Sequence, residues 1–139
     1  MNKKQILERL NKFTPKTLME TLEITYTDVG EDFVEASMPV NSRVHQPMGL
    51  LHGGAIVALA ESVGSAASFI FVNPEESDVR GIEIAANHVK SKREGTVRAI
   101  AKIIHKGRTT HLWQIKVVDE DDNLISLCKL TNIVLPRKK

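Results

Sequence analysis

One carboxylate stands inside the most apolar stretch of this sequence. From Leu50 to Val72 the chain reads LLHGGAIVALAESVGSAASFIFV, and Glu61 is its only formally charged residue. A carboxylate in apolar surroundings is costly unless it is paired, protonated or put to use. No Lys or Arg lies three or four residues from Glu61, so no local helical ion pair accounts for it. Two readings stay open: a basic partner from elsewhere in the fold or from another subunit, or a general base or nucleophile tuned by partial burial. Ser65, four residues on, shares its helical face and is placed to orient water or the carboxylate. The same stretch begins with His52-Gly53-Gly54. In a first helical turn the backbone N–H groups lack intrahelical partners and carry partial positive charge. Glycine there lets a carbonyl come close, and such donors stabilise the negative charge that develops on its oxygen. The plainer alternative is a glycine turn that serves close packing only.

Distance adds a condition. Gly53 and Glu61 are eight residues apart, which is about 12 Å along one helix. One carbonyl cannot touch both. If both act on the same group they belong to different chains, and the protein is then a homo-oligomer.

The elements that must hold these residues follow from periodicity. Ile6, Leu7, Leu10 and Phe13 are spaced as one face of a helix from Lys3 to about Phe13, with Thr14-Pro15 ending it or opening a second short one. Strands are expected near Glu23–Val29 and Phe33–Pro39 around a turn at Gly30-Glu31-Asp32, and Asn41 to Gly49 reads as a loop. Leu50 to Val72 is a long helix, apolar or small nearly all round and therefore buried on most sides. Four further strands are expected near Val79–Lys90, Thr96–Lys106, Thr109–Asp119 and Leu124–Leu135, with turn signals between them that suit an antiparallel meander. The expected fold class is α+β, a sheet wrapped around one central helix.

Length and composition narrow the function. A chain of 139 residues fits one domain, 1–139, and 42% hydrophobic with 26% charged residues is ordinary for a globular protein. Aromatics are only 4%, so aliphatic side chains must fill the core. The single cysteine, Cys128, reads as a small buried hydrophobe, and it offers no zinc cluster with five scattered histidines. No metal site and no cofactor are expected. The charged N-terminal segment does not read as a signal peptide, which implies a cytoplasmic location. A net charge of +2 is too small to suggest nucleic acid. The apolar helix is long enough to span a membrane, but its central carboxylate, glycines and serines speak against a membrane role. Between Ala86 and Arg108, however, seven Lys or Arg face one acid, Glu94, which suits either a polyanionic ligand or a solvated basic face.

Gln46-Pro47-Met48-Gly49-Leu50-Leu51-His52-Gly53-Gly54, running into Leu59-Ala60-Glu61-Ser62-Val63-Gly64-Ser65, resembles the hotdog-fold thioesterases of the PaaI type, in particular the branch acting on aryl-CoA and 1,4-dihydroxy-2-naphthoyl-CoA. The likeness continues through Gly81-Ile82-Glu83, Asn87 to Ser91 and His105 to Arg108 and ends near Trp113-Gln114-Ile115. It implies a hotdog fold and hydrolysis of an acyl-CoA to free acid and CoA, with coenzyme A entering as part of the substrate. It implies that Glu61 is the nucleophile or general base, that the Gly53 amide is the oxyanion donor, that Gln46 and His52 hold the thioester carbonyl, and that Ser65 stands beside the carboxylate. It further implies that Gly81, His88, Val89, Lys90, Ser91, His105, Lys106, Gly107, Arg108, Thr109 and Thr110 line the CoA channel, and that the site lies between subunits of a tetramer built from dimers. Two other functions suit the same residues: a non-catalytic acyl-CoA sensor, which would not need Glu61, and a hotdog acyl dehydratase with His52 as base.

Overall fold

The computed structural model describes residues 1–138. Helix α1 (Lys3–Lys12) opens with a capping box, Asn2 Oδ1 accepting from Gln5 N and Gln5 Oε1 accepting from Asn2 N. Pro15 does not start the next helix. A turn through Lys16 intervenes, and the short α2 (Leu18–Thr21) is capped by the Thr17 hydroxyl. Strands β1 (Thr25–Val29) and β2 (Phe33–Val40) form the first hairpin, and β2 buries Val34, Ala36, Met38 and Val40 on one face, as its alternation predicts. A single 3-10 turn (Ser42–Val44) leads to the long helix α3 (Gly53–Phe71), followed by β3 (Ser77–His88), β4 (Gly95–Lys106), β5 (Thr110–Val118) and β6 (Leu124–Pro136).

All six strands form one antiparallel sheet in the order β1-β2-β4-β5-β6-β3. The meander expectation is right for β4, β5 and β6 and wrong for β3. Arg93-Glu94-Gly95 is not a hairpin turn; β3 pairs with β6 at the far edge and the chain crosses back to start β4 beside β2. The physical reason lies in the shape of the layer. The sheet wraps α3, whose Leu59, Ala60 and Val63 are fully buried against Trp113, Ile115, Cys128 and Leu130. Gly64 permits the close approach, since a methyl there would lie 2.5 Å from Leu130 Cδ2. By length and composition α3 qualifies as a membrane span, yet it is the core helix of this sheet.

The two sheet edges differ. At β1 the Asn11 side chain pairs with both backbone groups of Tyr26, accepting from its N–H at 2.9 Å and donating to its carbonyl at 3.0 Å. The helix therefore caps that edge. The β3 edge runs for 12 residues, carries a bulge between Gly81 and Glu83, exposes Ile82 and is left uncovered within the chain.

Candidate active site

Helix α3 begins at Gly53, three residues after the expected start at Leu50 and with Gly53-Gly54 in its first turn, and three features shape its mouth. His52 is the N-cap; its Nδ1 accepts from Gly54 N at 2.8 Å, which leaves Nε2 as the protonated nitrogen of the neutral ring. The preceding loop is folded back on itself: Gly49 takes a φ of +76° and donates to the Gln46 carbonyl, while Gln46 N donates to the Leu50 carbonyl. Within it, Gln46 Oε1 accepts from Met48 N. The carboxamide is thereby oriented, with its NH2 group bound to nothing among the described residues. Two hydrogen bonds then fix the loop to the segment after β3, the backbone Leu51 N donating to Lys92 O at 2.8 Å and the His45 side chain donating through Nε2 to Arg93 O at 2.7 Å.

These pieces enclose a cavity of about 310 Å³ lined by Gln46, Gly53, Ile56, His88 at the end of β3 and Val89 to Lys92 just after it. His88 stands directly over the helix start: a methyl on Gly53 would lie 2.9 Å from its Nε2. The cavity thus gathers Gln46, Gly53, His88, Val89, Lys90 and Ser91, all of them sequence candidates.

Glu61 lies elsewhere on the same helix. It is half-buried and forms no hydrogen bond or ion pair among the described residues. Among the described residues the intrachain salt bridge that one reading of the sequence allowed is therefore absent. Its carboxylate rests on the backbone of Gly81, where an added methyl would sit 3.0 Å from Oε2. Gly81 immediately precedes the β3 bulge, so the strand gives way where the carboxylate needs room. Ser65 is half-buried one turn further on, with its hydroxyl unengaged among the described residues. Gly54, Ala58, Glu61, Ser65 and Phe69 follow one face of α3 that the chain's own sheet leaves partly open. The expectation of a helix buried on most sides is thus met on the sheet side only.

The second stretch expected along a CoA channel, His105 to Thr110, is not near the first. It forms the tight β4–β5 turn, closed by Gly107 N donating to Thr110 O at 2.8 Å, and Lys106 Nζ sits 4.4 Å from the Phe71 ring centroid at the far end of α3. Helix α3 separates it from His88 by about 27 Å. One chain holds His88 at the start of α3 and the turn that carries His105 at its end.

The basic cluster is also less free than its sequence suggests. Arg98 pairs with Glu35 at 2.8 Å and with Asp122, Lys92 with Glu120, Lys90 with Asp119 at 3.7 Å and Lys102 with Asp32 at 3.7 Å. Burial pushes the Asp119 carboxyl up, but hydrogen bonds from Asn123 and Asp121 and the charge of Lys90 outweigh it and hold the group below its ordinary range. Arg93 and Arg108 have no carboxylate within ion-pair distance among the described residues. Of the C-terminal basic residues, Arg137 is tied back to the Pro74 carbonyl and Asp78, while Lys139 lies outside the described residues.

Two sets of polar residues escaped the sequence reading. Ser126, fully buried on β6, faces His88 across the β3–β6 ladder with 2.9 Å between Oγ and Nδ1. Under the last turns of α3, Ser68 Oγ accepts from Trp113 Nε1 and Asn132 Nδ2, both at 2.8 Å, and lies 2.9 Å from His111 Nδ1. With both lone pairs of Ser68 taken, its hydroxyl donates to His111, which must be neutral there. Burial first, then Lys106 and His105, lowers the His111 pKa accordingly. Neither set has a local signal, because each depends on strand pairing across the sheet. Among the described residues no cluster of three or more His, Cys, Asp or Glu is arranged to hold a metal ion.

Comparison with known proteins agrees with this architecture. Residues 48–126 match the family model described as the Thioesterase superfamily. The chain is 45% identical over 133 residues to a 1,4-dihydroxy-2-naphthoyl-CoA hydrolase of Escherichia coli, covering 96% of this chain and 97% of that protein. It is 41% identical to the proofreading thioesterase EntH of Cronobacter sakazakii, over 93% of each chain. Among solved structures, a mutant thioesterase from Pseudomonas aeruginosa superposes with a TM-score of 0.92 at 43% identity, covering 94% of both chains.

Proposed function

Because the chain belongs to the thioesterase superfamily, we propose that it hydrolyses acyl-CoA thioesters in a site shared by two copies of itself. The observation that carries this reading is the division of the chemistry along α3. Gly53 N–H and the free NH2 of Gln46 open into one cavity and suit a carbonyl oxygen, while the unpaired Glu61 carboxylate lies about 12 Å further along the helix. A second chain, paired through the open β3 edge, sets Glu61 of one copy against Gly53 of the other and covers the exposed face of α3.

In that arrangement Gly53 and Gln46 polarise the thioester carbonyl and stabilise the oxyanion as it forms. Glu61 attacks the carbonyl carbon or takes the proton of the water that does. Collapse of the tetrahedral intermediate breaks the C–S bond, and coenzyme A leaves as its thiolate. His52, with Nε2–H available, and Ser65, beside Glu61, are assigned to orient the carbonyl and the water. His88 to Ser91 of one copy and Gly81 and His105 to Thr110 of the other line the CoA path. No metal or cofactor enters this scheme. The acyl group proposed is aryl or similarly bulky, with 1,4-dihydroxy-2-naphthoyl-CoA the first candidate from the relative that acts on it. A cytoplasmic tetramer of PaaI-type single-domain chains, built from two such dimers, completes the proposal.

The test is steady-state thiol release from a panel of benzoyl-, 4-hydroxybenzoyl-, 1,4-dihydroxy-2-naphthoyl- and medium-chain acyl-CoA. Turnover with preference for an aryl ester is expected, and Glu61→Gln should lower it by about a hundredfold or more, the scale of a lost general base. A Glu61→Gln protein with near-normal turnover would exclude the carboxylate from the chemistry.

A further inference from the structure

The Ser126 hydroxyl, buried beside the exposed His88, bears on which nitrogen of His88 is left to meet a ligand. Ser126 is fully buried, and its Oγ lies 3.2 Å from the Asn87 carbonyl, placed to donate to it. The other neighbour of that hydroxyl is Cys128 Sγ at 3.6 Å, a weak partner by comparison. With the hydroxyl proton directed at the carbonyl, Oγ accepts from His88 Nδ1–H. In that arrangement the neutral ring is the tautomer whose Nε2 carries a lone pair and no proton. That nitrogen is the one standing over Gly53, in the cavity that also receives the free Gln46 NH2. Every other group assigned to the carbonyl here is a donor: Gly53 N–H, the Gln46 amide and, by its own hydrogen bond, His52 Nε2–H. His88 Nε2 alone is an acceptor. It has no use for a carbonyl oxygen and calls for an O–H or N–H on the ligand within about one hydrogen-bond length of that oxygen.

We infer that Ser126 is a positioning residue which, through His88, gives the site its hold on a hydroxyl next to the carbon that carries the thioester carbonyl, a hydroxyl that 1,4-dihydroxy-2-naphthoyl-CoA, the first candidate substrate above, already bears. Such an ortho-hydroxyl lies beside the carbonyl oxygen and can donate to Nε2 while the oxygen accepts from Gly53 and Gln46. A plain aroyl group leaves Nε2 unmatched. The inference rests on the thioesterase reading for its ligand, but the tautomer it requires is independent of that reading. The amide N–H groups of the pantetheine arm are the competing source of a donor; because every CoA ester carries them, they would produce no discrimination between acyl groups.

Two measurements test it. The first is the nitrogen-15 spectrum of the imidazole rings at about pH 8.5, above the ordinary imidazole range, with His88→Gln to assign the signal. His88 should be the Nδ1–H tautomer in the unaltered protein and should shift toward Nε2–H in Ser126→Ala. A wild-type ring protonated on Nε2 overturns the inference whatever the activity. The second is the ratio of kcat/KM for 2-hydroxybenzoyl-CoA to that for benzoyl-CoA. It should exceed that for 4-hydroxybenzoyl-CoA over benzoyl-CoA and fall about fivefold in Ser126→Ala, the worth of one ordinary hydrogen bond. Ser126→Thr, which keeps the hydroxyl, should restore it. An unchanged ratio in Ser126→Ala, with hydrolysis intact, assigns the donor to pantetheine and overturns the inference. Should no ester be hydrolysed, the thioesterase reading fails instead, and the same ratio taken from dissociation constants by calorimetry still decides this one.

Discussion

Gly53→Ala separates the geometry of the carbonyl site from the stability of the helix that carries it. Gly53 is the first residue of α3 and has no positive φ, so alanine meets no backbone strain there. The methyl, however, would lie 2.9 Å from His88 Nε2 and 3.1 Å from Cδ2. That is about half an ångström inside normal contact. The ring cannot yield freely, since Nδ1 is held by Ser126 at 2.9 Å. Relief requires either loss of that hydrogen bond, costing about 1 kcal/mol, or displacement of the helix start by a similar half ångström. Alanine recovers up to about 1 kcal/mol of helix propensity over glycine. The two nearly cancel, so the urea midpoint should stay within the equivalent of about 1 kcal/mol. Catalysis has no such compensation: a donor misplaced by half an ångström and a crowded carbonyl pocket should lower kcat/KM by about ten- to a hundredfold. Thiol release on the best ester, with urea unfolding on the same preparation, reads both. A Gly53→Ala enzyme with kcat/KM within about threefold of wild type would refute the placement of the carbonyl at this helix start.

Three further outcomes follow from the same structure. Gly81→Ala puts a methyl 3.0 Å from Glu61 Oε2 and should cost about tenfold in kcat by shifting the carboxylate a few tenths of an ångström, with the fold intact by circular dichroism. His111 has its folded pKa lowered, so the unfolded chain binds the extra proton; stability is full above the ordinary imidazole value and falls as pH drops through it toward the folded value. Urea midpoints at about pH 7.5 and 5.5 should therefore decline more steeply for wild type than for His111→Gln, and equal declines would remove His111 from the account. Asn11→Ala strips the cap from the β1 edge and should lower unfolding free energy by about 1–2 kcal/mol, read by urea titration.

Much of the fold was legible because its signals are local. The apolar stretch from Leu50, the helical spacing of Ile6, Leu7, Leu10 and Phe13 and the turn at Gly30-Glu31-Asp32 each report on a few neighbouring side chains, and the elements fall close to where they predict. Strand order is not local. Nothing in Arg93-Glu94-Gly95 distinguishes a hairpin from a crossover, and β3 lies beside β6 because of what both bury against α3. The same limit governs the site. Glu61 and Gly53 stood out by contrast with their surroundings, and their separation follows from helical rise alone. Ser126 did not stand out, since a serine among apolar residues of a strand acquires meaning only from His88 across the ladder. The basic cluster misled in part because its partners, Glu35, Asp119, Glu120 and Asp122, are distant in sequence and adjacent in the sheet.

That one site is built by two chains is tested most directly by mixing variants. Glu61→Gln lacks the carboxylate, and a chain carrying both Gln46→Ala and Gly53→Ala lacks the carbonyl pocket. Unfolded together in equal amounts and refolded, they should regain thiol-releasing activity of about a quarter of wild type, because about half the dimers are mixed and each holds one intact site. Activity no greater than the sum of the two refolded separately would mean that Glu61 and Gly53 do not meet across an interface, and the shared site would have to be given up.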